Sequence, residues 1–291
     1  MAAECVPRCY RVARPKANGA WPVVGGKQLA PETAPPGRRA VCCPMTRQPG
    51  SGRRRSTRCG ADERRGRRGK VVAIASVFTM LHYQTIPVTP FQQNCSLVWE
   101  DDTRTAAIID PGGDLDTLLD AAEALDVTIT QIWLTHAHID HAGGTAELAR
   151  MLQIPVIGPH PADQFWIDAL AEQGRMFGLP HADSFTPTRW LADGDSVALG
   201  KHTLQVRHCP GHTPGHVVFH SPELKRAFVG DVLFAGSIGR TDFPQGDHDT
   251  LITSITSRLW PMGDDTVFIP GHGPESSFGR ERRSNPYVRG T

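Results

Sequence analysis

The 291-residue chain has no apolar run long enough to span a bilayer. Its most apolar stretch near the N-terminal part, residues 71–80, is ten residues long, against about 20 for a transmembrane helix, so no membrane partner is expected. Cysteine is scarce where it would matter. Five of the seven cysteines (Cys5, Cys9, Cys42, Cys43, Cys59) precede residue 80, with no CxxC pair and no histidine among them to complete a zinc site. Only Cys95 and Cys209 remain beyond it, too few for a disulfide framework. With no signal peptide in view, a reduced, cytoplasmic setting is the expectation.

Net charge is also nearly absent, at +1, but that balance conceals two unlike pieces. Residues 1–79 hold 17 Lys and Arg against 4 Asp and Glu, leaving 14 basic against 26 acidic residues for the remainder, which also carries all 13 histidines. The first piece is rich in Arg, Gly and Pro and poor in periodic apolar residues, so it reads as a disordered basic extension that does not fold alone. Three origins compete. A mitochondrial-type presequence fits the arginines but not the Pro and Gly breaks; a nucleic-acid-binding arm would use the charge on phosphates; and translation assigned too far upstream, with the true start near Met80, is the reading we favour.

The 212 residues from Met80 on suit one domain with a sizeable core. Period-2 and continuous apolar runs predict strands over residues 96–99, 105–109, 130–134, 196–199, 204–208, 217–220, 226–229 and 267–269. Helical spacing predicts helices over 115–125, 144–152 and 248–259. An α+β mixture of this kind suits two sheets packed together with helices outside.

What the domain does possess is a dense set of metal-seeking side chains. His136, His138, Asp140 and His141 fall within six residues, directly after the strand over 130–134. Imidazole and carboxylate are the usual ligands of a catalytic zinc, and burying such a cluster without a cation would leave several polar groups unsatisfied. Three later turns rich in Gly and Pro each add a His or an Asp: Cys209-Pro-Gly-His212-Thr-Pro-Gly-His216, Gly230-Asp231, and Pro270-Gly-His272-Gly. Catalytic residues concentrate in such loops at strand ends. Asp110, ending a strand at a Pro-Gly-Gly turn, could orient a ligand histidine or simply form the turn.

These motifs, in this order, resemble those of the metallo-β-lactamase superfamily, and within it glyoxalase II (hydroxyacylglutathione hydrolase), closest to the short bacterial form. The resemblance runs from Met80 to the C-terminus and includes Asp110-Pro-Gly-Gly-Asp114, Gly239-Arg240-Thr-Asp242-Phe-Pro244 and Glu281-Arg-Arg-Ser-Asn-Pro286. It implies an αββα sandwich with a metal site at one edge. It implies that His136, His138 and His212 hold one divalent metal and Asp140, His141 and His272 a second, with Asp231 bridging. Zinc is the first expectation for both, with iron or manganese as alternatives. Asp140 and Asp231 are the expected catalytic carboxylates, and Arg240 stands where the family has a basic residue contacting glutathione. The chain ends 19 residues after His272, so the C-terminal helical domain that supplies further glutathione contacts in longer relatives is expected to be missing.

Such a site implies a hydroxide nucleophile bridging the metals at neutral pH and an oxyanion held by the same cations. The best-fitting reaction is hydrolysis of a small-molecule acyl thioester, S-D-lactoylglutathione to D-lactate and glutathione. A thiolate with a thiol pKa of about 8.5 leaves without a general acid. Rival readings are a mononuclear-iron persulfide dioxygenase, a nuclease of the same fold and a lactonase; the compact spacing from His141 to His212 argues against a nucleic-acid partner. His216, His208 and His220 are expected to pack or to orient other groups, and no thiol nucleophile is expected at Cys209.

Overall fold

The computed structural model describes residues 80–179 and 182–289; the basic extension over 1–79 lies outside the described residues. Strands β1 (Leu81–Val88), β2 (Gln93–Glu100), β3 (Thr105–Ile109), β4 (Thr128–Trp133) and β5 (Val156–Ile157) form one sheet in that order. Strands β6 (Ser196–Leu199), β7 (His202–His208), β8 (Val217–Ser221) and β9 (Arg226–Gly230) belong to the second. After a small ribbon of β10 (Leu233–Phe234) and β11 (Ser237–Ile238), β12 (Val267–Pro270) and β13 (Ser276–Ser277) complete it in the order β13-β12-β9-β8-β7-β6.

Alternation along the strands builds three apolar layers from two sheets. In β3, Ala106 and Ile108 face one layer while Ala107 and Ile109 face the next. Trp133 of β4 meets Phe219 of β8 across the middle layer, ring centroids 5.6 Å apart. On the far side of the second sheet, Val218, Ala227, Val229 and Phe268 face a third layer. Strands buried on both faces read as nearly continuous apolar runs, which is why β3, β8 and β9 are legible in the sequence.

Helices close both outer layers. α1 (Leu115–Ala124), α2 (Ile139–Ala142), α3 (Thr145–Leu152), α4 (Gln164–Asp168) and α5 (Leu170–Phe177) cover the first sheet, with Leu118, Leu148, Ile167 and Leu170 buried against it. α6 (His248–Ser254) and α7 (Phe278–Ser284) cover the second, with Leu251 and Phe278 buried. The result is the expected αββα sandwich. The helix expected over 248–259 is α-helical only to Ser254 and continues as a π-type turn over Ile255–Leu259. The sequence patterns do not foresee β1, the two-residue strands β5, β10, β11 and β13, or the helices α2, α4, α5 and α7. β1 alternates weakly and contains Pro87, while α4 and α5 are short, with a glycine, Gly174, inside α5. None of the helices among the described residues is long and apolar enough to cross a membrane.

Candidate metal centre

The loops after β4, β7, β9 and β12 meet at one edge of the sandwich. They bring together all seven residues expected at the metals. Two triads, His136 with His138 and His212, and Asp140 with His141 and His272, each present ligand atoms within 4.8 Å of one another. Asp231 lies between them: Oδ1 is 3.3 Å from His141 Nε2, and Oδ2 is 3.6 Å from His212 Nε2 and 3.7 Å from His272 Nε2.

Three of the five rings are aimed by a bond from the far nitrogen. His141 Nδ1 donates to Asp110 Oδ2 at 2.9 Å, and His212 Nδ1 donates to the Arg240 carbonyl at 2.8 Å. The Thr135 hydroxyl donates to Asp110 Oδ2 at 2.6 Å and so can accept from His136 Nδ1 at 3.0 Å. In all three the lone pair is left on Nε2, facing the cluster, as outer-shell partners of metal-bound histidines require. Asp110 can also be grouped geometrically with His136 and His141, but its oxygens are occupied by Thr135 and His141. It therefore orients a histidine as well as making the turn.

Buried polar atoms almost always find partners, yet His136 Nε2, His138 Nε2, His141 Nε2 and Asp231 Oδ1 have no hydrogen bond. His138 Nδ1 and His212 Nε2 face each other at 2.9 Å. Orphaned nitrogens beside buried carboxylates are the donor set a divalent cation would satisfy. The electrostatics agree for the first triad. Burial, reinforced by neighbouring histidines, holds His136 well below the ordinary imidazole range and His138 at about 3; burial also lowers His212 although Asp231 opposes it. These rings are neutral at physiological pH, the form that binds metals. Burial pulls His141 and His272 down, but the nearby Asp231 and Asp140 charges and hydrogen bonds carry both above the usual value. Burial pushes Asp140 and Asp231 up, and His141 in particular outweighs it, leaving both carboxylates below the ordinary range.

His216 does not join either triad. Its Nε2 accepts from the Asp231 backbone N–H at 3.0 Å and its ring stacks on His136 at 4.6 Å, so it fixes two candidate ligands from behind. His208 Nε2 donates to the Pro214 carbonyl at 2.8 Å, and His220 lies in β8 opposite Gln205 of β7; neither belongs to either triad. Cys209 is fully buried and burial raises its thiol well above the ordinary range, which leaves no thiolate for attack.

No motif or spacing in the sequence marks Asp163 as part of the site. Its side chain is buried at the start of α4 and ties the first ligand loop to the second: Oδ2 accepts from Ala137 N at 3.1 Å and Thr213 Oγ1 at 2.9 Å, and Oδ1 accepts from Gly215 N at 2.6 Å. Asp163→Asn replaces one acceptor by a donor among donors and is expected to cost about 1–3 kcal/mol. Burial raises the Asp163 carboxyl to about 6 against these hydrogen bonds. A raised folded-state pKa means the folded form holds its proton more tightly, so wild type loses stability as pH rises from about 4 to 6. The wild-type advantage over Asp163→Asn should therefore narrow across that window in thermal melts; a gap independent of pH would show that the carboxyl does not titrate there.

Beside the triads opens a cleft of ≈ 740 Å³ whose walls include Trp166, Phe177, Phe234, Phe243 and Arg240. The Arg240 guanidinium lies 4.2 Å from the centre of the Phe243 ring and is paired with Asp242 through two 2.6 Å hydrogen bonds.

Residues 88–272 match the profile of the metallo-beta-lactamase superfamily. A hydroxyacylglutathione hydrolase, GloC, of Haemophilus influenzae is 47% identical over 209 residues, spanning 72% of this chain and 98% of that protein. Among solved structures, the B3 metallo-beta-lactamase BLEG-1 is 36% identical with a TM-score of 0.66 over 72% of this chain and 100% of its own. TTHA1623, in a di-iron-bound form, is 37% identical with a TM-score of 0.64 over 70% and 100%. Sandwich, ordered ligand loops and relatives agree, and the chain belongs to the metallo-beta-lactamase superfamily, in its glyoxalase II-like branch.

Proposed function

We propose that this metal-dependent hydrolase cleaves an acyl thioester, with S-D-lactoylglutathione as the reference substrate and D-lactate and glutathione as products. The observation that carries the reading is the pair of triads sharing Asp231, with unpartnered ring nitrogens facing inward and their far nitrogens tied back. His136, His138 and His212 would hold one divalent cation, Asp140, His141 and His272 the other, and Asp231 both. Bound there, the cations would lower the pKa of water toward neutrality and polarise the thioester carbonyl.

The chain's own residues do the rest. Asp110, Thr135 and the Arg240 carbonyl keep the ring orientations fixed, so no reorganisation is needed when charge develops. Ring edges of Trp166 and Phe243, with centroids 4.5 and 4.7 Å from that of His138, shield that side of the centre from water. Arg240 lines the cleft with one guanidinium nitrogen outside its pairing with Asp242, suited to a carboxylate of the thiol carrier. The departing thiolate, of thiol pKa about 8.5, needs no protein acid. Its name ties the Haemophilus relative to glutathione conjugates, and the di-iron relative keeps iron beside zinc as a candidate metal.

Metal analysis of the purified protein alongside thiol-release assays tests the reading. Two divalent cations per chain are expected, with thiol release from S-D-lactoylglutathione abolished by chelation and restored by zinc, iron or manganese. One iron per chain with oxygen-dependent sulfite formation would establish the dioxygenase instead. Metal-loaded protein that releases thiol from no thioester would refute it.

A further inference from the structure

Soluble proteins rarely gather large exposed apolar side chains without a use for them. Among the described residues Phe91, Met176 and Phe177 are 40%, 71% and 51% exposed, and all three line the cleft beside the triads. They come from different elements: Phe91 from the β1–β2 turn, Met176 and Phe177 from the last turn of α5. The Phe91 and Phe177 rings meet edge to face at 5.8 Å, so they form a continuous apolar wall.

The wall and the cleft's cation flank different triads. Phe91 is two residues from Gln93, which forms a backbone bridge with His272, and the Phe234 ring adds a further apolar surface 6.3 Å from His272. Arg240 sits at the other triad, where its carbonyl accepts from His212. Arg240 is the only Lys or Arg among the described residues lining the cleft; Gln173 and Ser237 are neutral, and Asp242 already offsets the guanidinium. A substrate whose charged part lies toward Arg240 would place its other arm on Phe91, Met176 and Phe177.

We infer that the acyl half of the substrate is a sizeable apolar group, an alkyl chain of several carbons or an aryl ring, rather than a small hydroxyacyl group such as lactoyl. The inference rests on the thioester reading. Water's oxygen bonds to the acyl carbon, the C–S bond breaks, and one proton ends on the thiol, giving an apolar carboxylic acid and the free thiol. Removing apolar area from water, at roughly 25 cal/mol per Å², would then favour long acyl groups over lactoyl.

Glutathione thioesters carrying D-lactoyl, hexanoyl and phenylacetyl groups, compared on the metal-loaded protein, measure this directly. Hexanoyl and phenylacetyl substrates should exceed D-lactoyl in kcat/KM by about tenfold or more. A Met176→Ser/Phe177→Ser double variant should collapse that advantage, losing about fivefold or more in kcat/KM on hexanoyl and phenylacetyl substrates relative to its loss on D-lactoyl. Binding gives a second readout: by calorimetry, S-hexylglutathione should bind about tenfold tighter than S-methylglutathione, with the difference lost in the double variant. A flat acyl series, a series led by lactoyl, or equal losses on all substrates would overturn the inference. Should no thioester be hydrolysed while the S-hexyl preference persists and depends on Met176 and Phe177, the hydrolase reading fails and the apolar arm stands. Hydrolysis without an acyl preference is the converse.

Discussion

Asp231→Ala is expected to lose metal from both triads and to lower kcat by about 10³-fold or more, because one carboxylate faces both sets of histidines. Its two oxygens reach toward His141 on one side and toward His212 and His272 on the other. No neighbouring carboxylate can replace it. Asp140 lies with His272, and Asp110 is held by Thr135 and His141. Arg240→Ala provides the contrast, since a contact equally strong in ground and transition states raises KM by about tenfold and leaves kcat within about twofold. Metal content by elemental analysis and steady-state kinetics on the same preparations separate the two. Near-normal turnover with metal retained in Asp231→Ala would remove Asp231 from the reaction and with it the two-cation centre.

The second large effect is expected at Gly271, the residue before His272. A β-carbon there would overlap Asp231 Oδ1 and come within 2.6 Å of His141 Cε1. The loop cannot retreat easily. Gly271 N donates to the Gly230 carbonyl at 2.8 Å and its own carbonyl accepts from Asn94 N at 2.7 Å. Gly271→Ala should therefore displace Asp231 or His141, lowering metal content and kcat by about 10²-fold and stability by about 1–3 kcal/mol. Gly273→Ala in the same loop is the control. It has φ +75 and nothing within 4 Å, so its cost is backbone strain of about 1 kcal/mol. Equal losses from the two substitutions would mean that loop strain, and not crowding of Asp231 and His141, governs the site.

Much of this molecule is written locally. The eight strands read from the sequence match the observed ones to within a few residues, because strands buried on both faces, such as β3, β8 and β9, need unbroken apolar runs, while β6 and β7 show the alternation of strands with one buried face. The seven candidate ligands are legible for a similar reason: histidine and aspartate packed into Gly- and Pro-rich turns at strand ends have no role in a core. The edge strand β1 and the helices α4 and α5 are less legible, since their stability comes from what they pack against more than from their own pattern.

The sequence by itself determined the chemical kind of site, its ligand types and their order along the chain, and the layered sandwich that carries them. The family resemblance already favours His212 over His216 as the ligand, and the tertiary structure adds the contacts behind each ring, the Arg240 carbonyl at His212 Nδ1 and the Asp231 backbone N–H at His216 Nε2. The tertiary structure alone turned Asp110 from a turn residue into the partner of His141, and made Asp163 the tie between two loops. It also gathered Phe91, Met176 and Phe177 into one wall. Each of these rests on contacts between residues tens of positions apart, where local spacing carries no information and packing sets the geometry.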